Sequence, residues 1–270
     1  MAGVALADRV VGGPGTARRG ETASARHAAS GVDAAPVERA QADGQGAFAP
    51  GGQLAPSATD PLRVLVVGDS LGIDLGQALA PMLQASALAT VTVDAQGSTG
   101  LARPDYFDWP AHLRHDLAVL APQVVVILLG ANDVQNPTGT PGPVSFGSPA
   151  WAALYGHRVA TMVAEANGAG ARVLWVGAPP MAPTGLDAGI RQIDAVVARV
   201  VGQGTGDLYL PAGSVLGDPG GGFTATVDGP TGPVAIRTAD GIHLTGAGGG
   251  LLAAAVVRAM DQSWHLDLPT

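Results

Sequence analysis

Three short segments carry side chains able to form a nucleophilic relay: Gly68-Asp69-Ser70-Leu71-Gly72, Gly130-Ala131-Asn132-Asp133 and Asp240-Gly241-Ile242-His243. A serine hydroxyl attacks a carbonyl only when a neighbouring base takes its proton, and that base needs an acid to orient it. Asp240 and His243, three residues apart on one turn, can supply acid and base. His243 is also the one histidine of six at a predicted loop-to-helix junction with an acid so placed. The chemistry of such a set is acyl transfer through Ser70. An oxyanion forms on the way and needs donors aimed at it. The Asn132 side-chain amide can be one donor. A glycine N–H can be another, and Gly97-Ser98-Thr99-Gly100-Leu101 offers two candidates; we favour Gly100 over Gly97. Each segment also has a plainer reading: Asp69 and Ser70 as a helix N-cap, Asn132 as an Asx turn, and the glycine segment as an ordinary turn.

These residues need elements to position them. Arg63–Gly68 (RVLVVG) is an uninterrupted apolar run, as in a strand buried on both faces. The pattern then predicts a helix over Leu71–Gln84 that ends or kinks near Pro81. It continues with a strand over Thr90–Asp94, a helix over Ala111–Leu120 and a strong strand over Gln123–Leu129. A helix over Ala150–Asn167, a strand over Ala171–Gly177, a helix over Leu186–Val201, a short strand over Asp207–Leu210 and a last helix over Thr245–Met260 follow. Buried strands alternating with helices imply a parallel sheet covered on both faces, with the site at the strands' carboxyl ends. Phe223–Arg237, with Asp228-Gly229 and Gly232-Pro233, reads as an inserted β-hairpin. The Gly- and Pro-rich loop Asp133–Ala150 has the length of a lid beside Asn132.

Composition excludes several classes. The net charge is −8, all 14 basic residues are Arg, and they do not cluster. No stripe exists to neutralise phosphates, so nucleic acid is not expected as a partner. With no cysteine, thiol catalysis and Cys-based zinc sites are excluded. Val64–Gly72 lacks G-x-G-x-x-G, which removes a dinucleotide fold. His112 and His115 form an i, i+3 pair, but no third metal ligand is evident, so they read as a solvated helix face and no metal site is expected. Residues 1–60 lack periodicity and read as a disordered tail or tether, leaving 61–270 as the folded domain. The apolar Met1–Val11 is too short for a spanning helix and lacks a basic flank.

Gly68–Gly72 also fits G-x-S-x-G, the nucleophile elbow of α/β-hydrolases. In that fold, however, the elbow follows several strands, and here it follows the first. The ordered set GDSLG, a glycine turn, GAND and DGIHLT resembles instead the four blocks of SGNH (GDSL-like) serine hydrolases, over roughly Arg63 to the C-terminus. Ser98–Pro110 (STGLARPDYFDWP) and Arg172–Met181 (RVLWVGAPPM) further resemble a bacterial subgroup often carried behind an N-terminal anchor. The resemblance implies an α/β, flavodoxin-like three-layer sandwich with a central parallel sheet. It implies Ser70 as nucleophile, His243 as base and Asp240 as its orienting acid. Ser70, Gly100 and Asn132 would form the oxyanion hole, although STGL departs from the commoner block-two turn. Asp69, Tyr106, Trp109 and Asp133 are expected near the substrate; the aromatic pair could equally pack under the following helix. The implied activity is a serine esterase acting on a small acyl or O-acetyl ester, carried for instance on a carbohydrate, with neither cofactor nor metal. An O-acyltransferase acting on a cell-envelope glycan would use the same residues; a non-catalytic binding domain would not require them. A monomer is expected. An extracytoplasmic enzyme tethered at a membrane is favoured over a cytoplasmic one.

Overall fold

The computed structural model describes residues 54–203 and 206–268. The expected tail lies outside the described residues up to residue 53. Leu54 is buried in the core, so packing begins before the expected boundary at 61.

Five parallel strands form the central sheet: β1 (Leu62–Gly68), β2 (Ala89–Ala95), β3 (Val124–Leu128), β4 (Arg172–Val176) and β5 (Leu208–Leu210). Their spatial order is β2-β1-β3-β4-β5. Val64 of β1 pairs with Val91 of β2 on one side and Val124 of β3 on the other. β3 is buried along its whole length, which is why its sequence shows no alternation.

Helices α1 (Ser70–Gln84) and α6 (Gly246–Trp264) pack together, and the short α5 (Gly213–Leu216) joins them. Helices α2 (Trp109–Leu120), α3 (Pro149–Gly168) and α4 (Thr184–Val201) form a second contiguous set. Aromatics are few, so aliphatic residues fill the core. Helix α4 shows how: Ile190, Ile193, Val197 and Val201 recur at helical spacing and are all buried. Each such side chain contributes roughly 1.5–3 kcal/mol by leaving water. The hairpin strands β6 (Thr226–Gly229) and β7 (Gly232–Ala235) pair antiparallel where the insertion was expected.

The elements match the sequence reading except for the short α5 (Gly213–Leu216), which it did not include; the other differences lie at ends. Helix α1 begins at Ser70 and continues past Pro81 to Gln84. Helix α6 extends beyond Met260 to Trp264, because Trp264 is buried and its indole donates to the Gly206 carbonyl. Among the described residues, no helix is long and apolar enough to cross a membrane.

Strand order reverses between β1 and β3. A crevice therefore opens at their carboxyl ends, where open α/β sheets hold ligands. Ser70 follows β1 directly, and Asn132 lies just after β3.

Candidate active site

Asp69 caps α1: its Oδ1 accepts from the Leu71 N–H at 2.9 Å. Ser70 is thereby placed in the first turn, half-buried, with its hydroxyl at the crevice. From the far end of the chain, His243 Nε2 lies 2.9 Å from Ser70 Oγ. His243 Nδ1 lies 2.6 Å from Asp240 Oδ2. The other oxygen of Asp240 accepts from the Thr238 hydroxyl at 2.6 Å and from the backbone N–H groups of Ile242 and His243 at 2.8 and 3.1 Å. The His243 bond first, then those from Thr238 and Ile242, hold the Asp240 carboxyl well below the usual carboxylate range. It therefore stays ionised beside the imidazole.

The loop carrying this pair is closed on itself. Thr238 N–H donates to the His243 carbonyl, and Gly241 N–H donates to the Thr238 carbonyl. Gly241 sits at φ +69° with its Cα against Ala182, so a side chain there would meet both strain and a collision. The buried Arg237 guanidinium donates to the Pro180 carbonyl and fixes the loop to the segment after β4.

Sequence reasoning missed Asp74. One turn beyond Ser70 on the same helix, its Oδ2 accepts from the Leu244 N–H at 2.9 Å and ties α1 to the residue after His243. The i, i+4 spacing from Ser70 was the available signal. Asp74→Ala should lower kcat about 10–100-fold, as expected for a displaced base, with KM unchanged, and Asp74→Asn should recover most of the loss. Steady-state kinetics on a small soluble ester checks this; a change in KM alone would instead make Asp74 a substrate-binding residue.

Two expected substrate contacts are corrected. Asp69 and Asp133 are both fully buried and cannot line a substrate site. Asp69 Oδ2 accepts from the Gly130 and Ala131 N–H groups at 3.3 and 3.2 Å, joining the Ser70 turn to the Asn132 turn. Burial pushes its pKa up to about 7, against the backbone donors that favour the ionised form. Asp133 accepts from Leu101 N–H at 3.0 Å, Ala102 N–H at 2.7 Å and the Tyr155 hydroxyl at 2.7 Å. It thus joins the Asn132 turn to the glycine turn and to α3. Trp109 is likewise buried, but as the first residue of α2 itself, with its indole donating to Thr99 Oγ1 at 3.0 Å. Tyr106 is mostly exposed.

Asn132 donates one side-chain N–H to the Thr99 carbonyl at 2.9 Å. An amide nitrogen carries two, and this bond uses one of them. Of the two glycines, Gly97 is exposed with open space about it. Gly100 is buried and its Cα lies directly against the Asp133 carboxylate, leaving no room for a side chain. Ser98, between them, takes a left-handed φ of +64°, a strained backbone of the kind that gathers at functional turns. The long loop after Asp133 is held at Thr138, whose N–H donates to the Ala102 carbonyl and whose own carbonyl accepts from Arg158. A cleft of about 230 Å³ opens behind Gly100, with walls from Leu101, Phe107, Trp109 and Arg158.

The expected solvated helix face holds for His115 and fails for His112. His115 is exposed, whereas His112 faces Asp94 of β2 and Asp116 of its own helix.

A five-stranded parallel sheet ordered 2-1-3-4-5, with serine, glycine, asparagine and Asp-x-x-His at these junctions, defines the SGNH hydrolase fold. The chain belongs to the family described as "Protein of unknown function (DUF459)", which matches residues 63–259. Among solved structures it is similar to a catalytic mutant of the acetylxylan esterase Axe2 from Geobacillus stearothermophilus, at 17% identity and TM-score 0.57 over 79% of this chain and 98% of that one. It is also similar to a GDSL-like lipase from Bacteroides thetaiotaomicron, at 18% identity and TM-score 0.53 over 77% and 92%. A third similar structure is TesA, at 25% identity and TM-score 0.50 over 74% and 98%. These likenesses establish the fold. No curated protein matches the chain closely enough to count as a relative.

Proposed function

We propose that the protein is a serine esterase that cleaves a carboxylic ester through an acyl-enzyme on Ser70. The observation that carries this reading is the continuous relay Asp240–His243–Ser70, with contacts of 2.6 and 2.9 Å. His243 takes the hydroxyl proton as Ser70 Oγ attacks the ester carbonyl. The resulting oxyanion is met by the Ser70 and Gly100 N–H groups and the second N–H of Asn132. His243 then returns the proton to the leaving alcohol, and the same steps with water release the acid and restore Ser70. Every group needed is a side chain or backbone amide of this chain.

The side chains of Asp240 and His243 are 45% and 37% exposed. A relay this open to solvent supports water, rather than a second alcohol, as the acceptor. Small acyl groups on sugars are the substrates to try first, since one of the structures this fold resembles is an acetylxylan esterase. The test is acetate release from acetylated monosaccharides and glycans, with and without a competing sugar acceptor. Free acetate that forms at the same rate in both supports hydrolysis. Acetyl appearing on the acceptor at the expense of free acetate would make the protein an O-acyltransferase. Turnover of none of these, nor of simple aryl esters, would overturn the proposal.

A further inference from the structure

Asp94 lies near the carboxyl end of β2, and His112 and Asp116 occupy one face of α2 at i, i+4 spacing. Their ligand atoms converge. His112 Nε2 is 3.0 Å from Asp94 Oδ2 and 3.6 Å from Asp116 Oδ2, and all three atoms lie within 4.8 Å of one another. Asp116 is the telling member. Its side chain is only 7% exposed, yet Oδ2, turned toward His112, makes no hydrogen bond. A buried, unpartnered carboxylate oxygen is costly. Here it sits beside a second carboxylate, with one imidazole between them.

The surroundings hold the three groups in place. Gln96 donates to the other oxygen of Asp94 at 3.1 Å. The Phe107 ring lies 4.9 Å from the imidazole, and the Trp109 ring meets it edge-on at 5.7 Å. Asp94 and His112 are each 29% exposed, so one side of the cluster is open to solvent.

We propose that Asp94, His112 and Asp116 form a binding site for one divalent transition-metal ion of the zinc type. Bonds of about 2.0–2.2 Å to nitrogen and oxygen in a tetrahedron place ligand atoms roughly 3.3 Å apart. The two separations from His112 Nε2, 3.0 and 3.6 Å, bracket that spacing. Water on the open side completes the coordination. An imidazole among so few ligands selects against Ca²⁺ and Mg²⁺, which take six or more oxygens or retain much of their water. The ion would act as a clamp rather than a reactant. It joins the end of β2 to α2, and the turn Gln96–Gly100 leaves β2 at that point. Trp109, from the first turn of α2, already holds Thr99 of the same turn. The inference is independent of the esterase reading.

The test uses the full chain, stripped with chelator and titrated with ZnCl₂ by calorimetry and thermal melting. Wild type should take up zinc with a melting temperature rise of roughly 5–10 °C at about a hundredfold excess over Kd. His112→Ala, Asp116→Asn and the partly exposed Asp94→Asn should each lose this rise, whereas His115→Ala should keep it. MgCl₂ and CaCl₂ should not reproduce it. If one variant fails to fold, the other two carry the comparison, and Co²⁺ added to wild type should give the visible bands of a low-symmetry N/O site. The proposal is overturned if wild type binds no zinc, or if His112→Ala and Asp94→Asn gain the same stability from zinc as wild type. Either result would leave His112 as a plain bridge between two carboxylates.

Discussion

Ser70→Ala should lose labelling by a fluorophosphonate probe and lower kcat on a small soluble ester by about 10⁴-fold or more. The size of the effect follows from the geometry. Ser70 Oγ contacts His243 Nε2, and among the described residues no second hydroxyl is bonded to that nitrogen. Water admitted in its place would lack the positioning that makes attack effectively unimolecular. Folding should be untouched: the hydroxyl is half-buried, and the cap of α1 is made by Asp69, so the melting temperature should stay within about a degree or two of wild type, as for neutral surface changes. Labelling that survives in Ser70→Ala would remove Ser70 from the role. Wild-type protein that neither labels nor turns over esters would leave a binding domain on a hydrolase fold.

The second large effect is a failure of additivity. His243→Ala should cost about as much as Ser70→Ala, and Asp240→Ala roughly 10²–10⁴-fold, as in serine triads. The double variant should be no worse than His243→Ala alone. Asp240 reaches the reaction through His243 Nδ1 and, among the described residues, otherwise bonds only its own loop: Thr238 Oγ1 and the N–H groups of Ile242 and His243. Once the imidazole is gone, the carboxylate has nothing left to orient. A kinetic double-mutant cycle decides the matter. Single losses that multiply in the double variant would mean that Asp240 acts on substrate directly, and the relay would be wrong.

The groups of the relay were legible because each stands at a junction the sequence announces. RVLVVG followed by Asp-Ser is a strand breaking into a capped helix, and Asp-Gly-Ile-His precedes the threonine that caps α6. The ties beneath them were not legible. Asp69 and Asp133 sit in turn-like tetrapeptides, where an acid ordinarily faces water. They are buried because backbone donors from distant segments converge on them, and those partners exist only once β1 and β3 are paired. His112 was misread for a related reason. On α2 alone its eye-catching neighbour is His115, but the fold brings in Asp94 from β2. Leu54 was set aside with a polar tail because a single apolar residue carries no periodicity. End positions such as Trp264 depend on burial by other elements and leave little local mark.

The contact between Gly100 and Asp133 has a consequence for how such a site can change over generations. The glycine can acquire a side chain only after the acid beneath it has shrunk, yet shrinking the acid alone strands the Leu101 and Ala102 N–H groups and the Tyr155 hydroxyl. Each single step is deleterious, and a workable exchange requires several at once. The two positions are therefore expected to be inherited as a block. Diversification is left to residues outside that block, such as the exposed Tyr106 and the loop beyond Thr138.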